Sequence, residues 1–180
     1  TMKVAIFGGS ATVAGEGAYE DARFLGRLLG EHGDTVLTGA YSGVMEAASR
    51  GCKEGGGHVI GFTCTQIEAL RGVNANPWVQ EVRRFDPLRD RMHALIDACE
   101  AAVVMPGGVG TLCELLVMWN EMIIDQKAVR PLLIVGKEWQ AVLAEFINTF
   151  GCYIGQKEWE LVSLVPDVTT AFDHLSNPPQ

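Results

Sequence analysis

The chain has 180 residues, which is enough for one domain with a sizeable core and too short for two full domains. Hydrophobic residues make up 48% of the sequence and charged residues 20%, a balance that excludes a disordered chain. The net charge of −8 argues against a nucleic-acid or anionic membrane partner, since neither attracts an acidic protein. A small anionic ligand is still compatible with this charge, because helix ends and one or two arginines act locally.

The cysteines and the hydropathy pattern bear on the cellular compartment. The five cysteines form no CxxC pair, and most lie among apolar residues at regular spacing, which predicts buried free thiols in a reducing cytosol. They are Cys52, Cys64, Cys99, Cys113 and Cys152. No apolar run approaches the ~20 residues that a bilayer crossing needs, and the sequence opens on a strand-like segment instead of a signal peptide. We therefore expect a soluble cytoplasmic protein.

Taken in chain order, short apolar runs alternate with segments of helical periodicity. Strands are predicted at 3–7, 35–38, 58–62, 101–105 and 132–135, with further extended pieces at 79–85 and 161–164. Helices are predicted at 16–32, 43–53, 87–98, 111–125, 138–150 and 167–175, the last before Pro178 and Pro179. The stretch 63–77 is interpreted as a loop with at most a helical turn, suited to form a lid or a wall of a site.

The predicted strands are continuous apolar runs, which is typical of a parallel sheet covered by helices on both faces. We therefore predict a Rossmann-like, doubly wound α/β fold that forms one nucleotide-binding domain over residues 1–180. Ligands of such folds bind beyond the carboxyl ends of the strands. Three glycine-bearing loops follow strands and are expected to meet at that edge, namely 8–10, 39–43 and 106–111.

None of these loops matches a common cofactor or nucleophile motif. The first loop lacks the GxGxxG spacing of a dinucleotide site, and the absence of a Gly-Lys-Ser/Thr sequence excludes a P-loop. There is no Gly-x-Ser-x-Gly nucleophile elbow. The four histidines have no mutual ligand spacing, so no metal site is predicted.

The segment from Pro106 to Glu114 is the most informative part of the sequence. Three glycines in four positions, between a strand and a helix, let backbone N–H groups approach a ligand, and the positive helix end favours an anion such as phosphate. The residues alone leave the role of Glu114 open. Thr111 and Glu114 also have the spacing of a capping box within the first helical turn, a purely structural role. Capping does not account for the three glycines.

The same segment matches the PGGxGTxxE signature of the LOG family, which comprises cytokinin riboside 5′-monophosphate phosphoribohydrolases long mislabelled as lysine decarboxylases. The chain resembles this family over about residues 3–150, including the Gly-Ser loop at 4–10, the Gly-Val-Met helix start at 43–47 and the GGGxVIG strand at 55–61. It departs from the family at Ala40 and Tyr41, which replace glycines, and at Cys113, where many members have glutamate.

The resemblance implies a catalytic pair formed by Arg91 and Glu114. Arg91 lies fifteen residues before Pro106, where the family has arginine, although the lysine that follows in the family is Met92 here. Without the resemblance, Arg91 borders an apolar stripe and is interpreted as a residue that keeps its charged end in solvent. The resemblance also implies substrate-binding positions, namely Gly9, Ser10, Gly39, Gly43, Met45, Gly107, Gly108, Gly110 and Thr111.

The implied reaction is hydrolysis of the N-glycosidic bond of a nucleoside 5′-monophosphate, with no metal, flavin or pyridoxal phosphate as cofactor. Glu114 would stabilise an oxocarbenium-like transition state or orient water, with the helix N-terminus keeping the carboxylate ionised. Arg91 would hold the phosphate or ribose, or position Glu114. One alternative is a non-catalytic binder resembling the molybdenum-cofactor carriers, which the altered loop at Ala40 and Tyr41 favours. Another is a structural domain whose glycine loop only caps a helix.

The helix that follows the signature is very apolar. Met118, Trp119, Met122 and Ile123 form a stripe that core burial explains in part. Since related proteins are dimers with the site near the interface, we expect a homodimer.

Overall fold

A computed structural model describes residues 1–177, and its centre is a sheet of seven parallel strands with helices on both faces. The strands are β1 (Lys3–Phe7), β2 (Thr35–Thr38), β3 (His58–Cys64), β4 (Glu81–Phe85), β5 (Ala101–Val104), β6 (Leu132–Val135) and β7 (Ser163–Val165). The helices are α1 (Gly17–His32), α2 (Val44–Glu54), α3 (Thr65–Arg71), α4 (Leu88–Ala98), α5 (Val109–Ile124), α6 (Lys137–Phe150), α7 (Gln156–Trp159) and α8 (Val168–Ser176). The predicted Rossmann-like α/β fold is confirmed.

The strand order β4-β3-β2-β1-β5-β6-β7 places a switch point at β1. The chain runs outward from β1 to β4 on one side and then returns to β5 on the other, where Phe7 pairs with Val104. The loops after β1 and β5 therefore leave the sheet in opposite directions and open a crevice between them. In this class of fold, the crevice is where ligands bind.

Burial follows the twofold alternation of a strand. On β1, Val4 and Ile6 pack with α1, α2 and α8, whereas Ala5 and Phe7 pack with α4, α5 and α6. Both faces of the central strands are thus apolar, which explains the continuous apolar runs in the sequence. The edge strand β4 has the charged, largely exposed residues Arg83 and Arg84 at its centre, which disfavours pairing with another strand.

Several predicted boundaries were wrong by one to two residues, and one region was interpreted incorrectly. The stretch 63–77 contains the seven-residue helix α3 instead of a loop with a single turn. Helix α5 begins at Val109, two residues before the predicted start, and a short helix α7 was not predicted. Residues Pro178 and Pro179 lie outside the described residues.

The apolar stripe on α5 belongs to the core. Met118 and Met122 are completely buried, Trp119 is nearly so, and Ile123 packs against the same cluster. Trp119 also contacts the ring of Trp159 on α7 and donates a hydrogen bond to the carbonyl of Glu158 at 2.8 Å. Core packing thus accounts for the whole stripe, which therefore gives no support for a dimer. The homodimer stays a prediction.

The cysteines are free thiols, but only three of the five are buried. Cys52, Cys64 and Cys99 lie in the interior as predicted, whereas the prediction of burial was wrong for Cys113 and Cys152. Cys113 is exposed because it lies on the solvent-facing side of α5, one turn before Leu116. Within residues 1–177, no helix combines the length and the apolar character that crossing a bilayer demands.

Helices α1 and α2 approach each other at backbone distance through glycines. A Cβ atom on Gly26 would overlap the carbonyl oxygen of Ala48, and one on Gly51 would overlap that of Arg23. The glycines in both helices, which are unfavourable for helix formation by ~1 kcal/mol each relative to alanine, are therefore explained by this close packing.

We expect Gly51→Ala to lower the free energy of unfolding by about 1–3 kcal/mol, because overpacking outweighs the gain in helix propensity. Gly17→Ala is the matched control, since a Cβ at Gly17 meets no atom within 4 Å. Chemical denaturation of both variants measures the effect. Equal stability of the two variants would contradict the close packing of α1 on α2.

Candidate functional site

The loops after β1, β2 and β5 line one cavity of about 850 Å³ at the carboxyl edge of the sheet. This volume lies within the usual range for small-molecule sites. Eight of the nine predicted substrate-binding positions line it, namely Gly9, Ser10, Gly39, Met45, Gly107, Gly108, Gly110 and Thr111. Gly43 lies outside the lining and supports the first loop from behind, since Val44 N–H donates to the carbonyl of Gly9 at 2.9 Å.

A buried ion pair forms part of the cavity wall. Arg91 of α4 donates from Nη1 to Oε1 of Glu114 on α5 at 3.1 Å, and from Nε to the carbonyl of Phe62 at 2.9 Å. Arg91 is only 6% exposed and Glu114 only 9%. The sequence-based interpretation of Arg91 as a residue that reaches out to solvent was therefore wrong. The two residues of the predicted catalytic pair do lie in direct contact.

The capping-box interpretation of Thr111 and Glu114 was also wrong. Helix α5 begins two residues earlier than predicted, with Gly108 at its N-cap, and no side chain caps it. Glu114 consequently lies in the second turn, where its carboxylate faces Arg91 instead of the backbone. The first N–H groups of α5 thus have neither an intrahelical partner nor a side-chain cap, and they face the cavity rim.

Burial dominates the electrostatics of Glu114. Loss of water raises the pKa of the Glu114 carboxyl group above its ordinary value, while the charge and hydrogen bond of Arg91 act in the opposite direction without offsetting it. The expectation that the helix N-terminus helps to keep this group ionised stays a prediction, since burial and Arg91 account for the direction of the shift. Arg91 is the group that favours the carboxylate form, and a raised pKa of this kind is common among catalytic carboxyl groups.

Gly39 makes room for the arginine. A Cβ atom at this position would overlap Nη2 of Arg91 and lie 2.6 Å from Sδ of Met45. Glycine at the end of β2 is thus required for the guanidinium group to reach Glu114. Its role is to position the ion pair as well as to line the cavity.

Ala40, which replaces a glycine of the family, keeps the backbone conformation that glycine favours. Its φ of 70° makes it the one non-glycine residue with positive φ among residues 1–177. Asn76 holds this conformation, because its backbone N–H and its side-chain amide donate to the Ala40 carbonyl at 2.7 and 2.9 Å. Two hydrogen bonds therefore offset the strain of about 1–3 kcal/mol that such a residue introduces.

Tyr41 is built into the cavity wall. Its hydroxyl group accepts a hydrogen bond from the N–H of Cys64 at 2.8 Å and donates one to the Cys64 carbonyl at 3.2 Å. The residue is 6% exposed and lines the cavity, as expected for a bulky residue near the substrate edge. Tyr41 thereby ties the loop after β2 to the start of α3.

The glycines of the signature segment fall into two groups. A Cβ on Gly107 would overlap the side chain of Thr111, so packing within the protein requires glycine there. At Gly108 and Gly110, a Cβ would meet no atom within 4 Å, and neither residue has a positive φ. Neither the backbone conformation nor the packing requires glycine at these two positions. The close approach of a ligand remains as a physical reason for glycine at these two positions.

Further lining residues were not predicted individually. They include Thr12, Glu16, Ile67, Leu70, Arg71 and Leu88. Three of them belong to α3, which does form a wall of the cavity, as predicted for the stretch 63–77. Their apolar and basic side chains at helical spacing were the available signal, but the segment was too short to be recognised as a helix. In the part of the chain that the structure describes, no three His, Cys, Asp or Glu side chains cluster as a metal site would require.

A family model provides the observation that decides the family. The model of the SLOG cluster4 family matches residues 1–130, which include both members of the ion pair and the whole glycine segment. The chain belongs to this family. The resemblance to the LOG family is thereby confirmed, and curated relatives agree with it.

Two curated relatives illustrate the similarity. The cytokinin riboside 5′-monophosphate phosphoribohydrolase LOG of Oryza sativa is 34% identical over 138 residues, which cover 74% of this chain and 56% of the relative. A pyrimidine/purine nucleotide 5′-monophosphate nucleosidase of Escherichia coli is 32% identical over 152 residues, which cover 76% of this chain and 33% of the relative. The chain thus spans between a third and just over half of the length of these two relatives.

Solved structures with the same fold include molybdenum-cofactor proteins. The Moco carrier protein of Chlamydomonas has a TM-score of 0.69 at 26% identity, with 97% of this chain and 94% of that chain covered. The molybdenum cofactor binding protein of Rippkaea orientalis has a TM-score of 0.73 at 20% identity and covers 97% and 93%, a similarity that concerns the fold alone. The chain is therefore similar in sequence to proteins named for catalysis and similar in fold to proteins named for cofactor binding.

We expect the pKa of Glu114 to lie above the ordinary glutamate value of 4.5, and Arg91→Met to raise it further because the neighbouring positive charge is lost. Carbon-detected NMR titration of labelled glutamate side chains measures both values. Since the folded-state pKa is raised, the contribution of Glu114 to stability is complete below pH 4.5 and declines as the pH rises through the folded-state pKa.

The matched control for this titration is Arg89→Met, which removes an exposed arginine from α4, the helix that also carries Arg91. This control is expected to leave the Glu114 titration unchanged. A Glu114 carboxyl group that titrates below 4.5 in the unmodified protein would contradict the dominance of burial over the arginine.

Proposed function

We propose that this protein hydrolyses the N-glycosidic bond of a nucleoside 5′-monophosphate and releases the free base and ribose 5-phosphate. The observation that carries the proposal is the buried Arg91–Glu114 ion pair, located in a cavity whose rim is an uncapped helix N-terminus. Such a pair requires a reason to be retained, because burying two charges costs several kcal/mol per ion before their attraction offsets it.

The rim of the cavity suits a phosphate group. The N–H groups at the start of α5 point outward without a cap, and the helix dipole adds positive potential at the same place. Gly108 and Gly110 leave open space where side chains would otherwise stand. A phosphate bound there would anchor the nucleotide, so that its ribose extends towards Glu114.

Glu114 is the residue that would act on the reacting bond. As the C1′–N bond breaks, its electron pair goes to the base and positive charge develops on the ribose, which a nearby carboxylate stabilises. Water then forms the new C1′–O bond, and Glu114 accepts the proton that this water loses. The proton passes to the departing base, so that the carboxylate is restored and no cofactor is consumed.

Arg91 would act on Glu114 and not on the base. Its guanidinium group is fixed by the Phe62 carbonyl and by the space that Gly39 provides, and it donates directly to Glu114. It therefore favours the carboxylate form that the reaction needs against the effect of burial. The remaining guanidinium N–H groups are available to the ribose or the phosphate.

The names of the relatives support the same class of substrate. The Oryza sativa protein is named for a riboside 5′-monophosphate and the Escherichia coli protein for nucleotide 5′-monophosphates. Both are about one-third identical to this chain, and both are longer. The activity is therefore a proposal for this chain, and it rests on the site geometry together with these names.

We expect Glu114→Gln to lower kcat for nucleoside 5′-monophosphates by ~10²–10⁴, since the amide neither carries the stabilising charge nor accepts a proton. Released base, measured by chromatography over a panel of nucleotides, is the readout. The matched control is Glu121→Gln on the same helix, outside the cavity lining, which is expected to keep full activity. Unchanged turnover by Glu114→Gln would remove this residue from the mechanism.

We expect Gly110→Ala to separate stability from binding. Alanine stabilises a helix by about 1 kcal/mol over glycine, and no neighbouring atom opposes a Cβ here, so thermal unfolding should shift upwards. The KM for the nucleotide should rise about tenfold, the equivalent of one charged hydrogen bond lost at the phosphate. Hydrolysis of the corresponding nucleoside, which lacks the phosphate, should not change. A nucleotide KM that stays constant would argue against a phosphate at this rim.

A second candidate function is retention of a phosphorylated ligand without turnover. The Moco carrier protein of Chlamydomonas, 26% identical over nearly the whole chain, is the observation that favours it. The cavity and its phosphate-binding rim would serve both functions equally. Binding of a phosphorylated ligand that survives gel filtration, with no base released from any nucleotide in the panel, would favour this candidate over hydrolysis.

A further inference from the structure

The cavity is lined by two arginines, and they differ in whether the protein itself neutralises them. Arg91 is paired with Glu114 inside the wall. Arg71, the last residue of α3, is exposed and forms no ion pair within residues 1–177. The acidic residue nearest to it in sequence, Glu68, is taken by Arg84 of β4. Among the described residues that line the cavity, Arg71 is therefore the arginine whose charge no acidic side chain neutralises.

The position of α3 along the sheet edge indicates which end of a nucleotide it would meet. Helix α3 follows β3, and the phosphate-binding rim follows β5, with β2 and β1 between them. Three strand spacings correspond to about 14 Å. Resting on the proposed function, in which the phosphate lies at the rim and the ribose near Glu114, this distance places the base at the α3 wall.

The wall has the composition of a base-binding surface. Ile67, Leu70 and Leu88 line the cavity beside Arg71, and Leu70 and Leu88 are 83% and 47% exposed. Such apolar area, open to the cavity, suits the flat face of a purine or pyrimidine ring. The guanidinium group of Arg71 presents paired N–H donors in a planar fork, which matches two adjacent acceptors on the edge of a base.

The wall is also held in place, although no residue of α3 is buried. At its start, Tyr41 is hydrogen-bonded to the backbone of Cys64. The Gln66 side chain accepts a hydrogen bond from Leu88 N–H at 2.9 Å, and Glu68 is paired with Arg84. These contacts hold the helix from which Arg71 extends at the cavity lining.

We infer that Arg71 determines the base specificity of this site and selects a 6-oxopurine. The O6 and N7 atoms of guanine or hypoxanthine are adjacent acceptors for the two N–H groups of one arginine. Adenine presents N7 beside an amino group, so that a donor opposes one of the two N–H groups. The distance from the rim favours a purine over the shorter pyrimidine.

The experiment compares guanosine and adenosine 5′-monophosphates with the unmodified protein and with Arg71→Met, a variant that keeps an unbranched apolar side chain and removes the fork. We expect the unmodified protein to prefer the guanine nucleotide in kcat/KM by about five- to hundredfold, the range for a bidentate arginine contact. Arg71→Met should reduce this preference to below about threefold by lowering kcat/KM for the guanine nucleotide alone. Arg89→Met, which removes an exposed arginine next to Leu88 outside the lining, should leave it unchanged.

Calorimetric binding of the same two nucleotides to Glu114→Gln separates this inference from the proposed hydrolysis. If the unmodified protein releases no base, but Glu114→Gln binds the guanine nucleotide more tightly than the adenine nucleotide and Arg71→Met removes this preference, the proposed hydrolysis is wrong and the inference holds. If hydrolysis occurs and Arg71→Met weakens both nucleotides equally, Arg71 contacts the phosphate and the inference is wrong. A protein that binds neither nucleotide, or shows no preference between them, would also overturn it.

Discussion

The buried contact between Arg91 and Glu114 is the constraint on which the rest of the site depends. It joins α4 to α5 across the carboxyl edge of the sheet, and its geometry explains residues that have no chemistry of their own. Position 39 requires glycine because a larger side chain would overlap the guanidinium group of Arg91. The Phe62 carbonyl on β3 accepts a hydrogen bond from the same group. A pair that is costly to bury is thus held by the sheet on one side and by two helices on the other.

The fold could be predicted from the sequence because most of its elements, α3 and α7 excepted, have a local cause. Continuous apolar strands and amphipathic helices indicate a parallel, doubly covered sheet, and the family pattern named both members of the ion pair. Contacts between distant residues could not be predicted. The role of Asn76 at the strained Ala40, and the start of α5 at Val109 instead of Thr111, depend on packing that no short window of sequence contains.

The homodimer and the cytoplasmic location remain predictions. The structure removes one argument for the dimer, since the apolar stripe of α5 is core, and it leaves other surfaces of the chain available for self-association.

The two candidate functions, hydrolase and carrier, make overlapping demands on the site. Both would use the rim at the start of α5 to hold a phosphate, and the buried Arg91–Glu114 pair, with the raised pKa of its carboxyl group, is the feature that supports the proposed catalysis.

Helix α3 contributes no side chain to either hydrophobic core, and this separation has an evolutionary consequence. Substitutions on its cavity side change neither the packing of the sheet nor the ion pair, so they cost the fold little free energy. On the proposed function, the range of accepted ligands can therefore diverge among relatives while the rim at the start of α5 and the paired charges stay the same. The part that would choose the ligand can drift independently of the parts that would hold it and act on it.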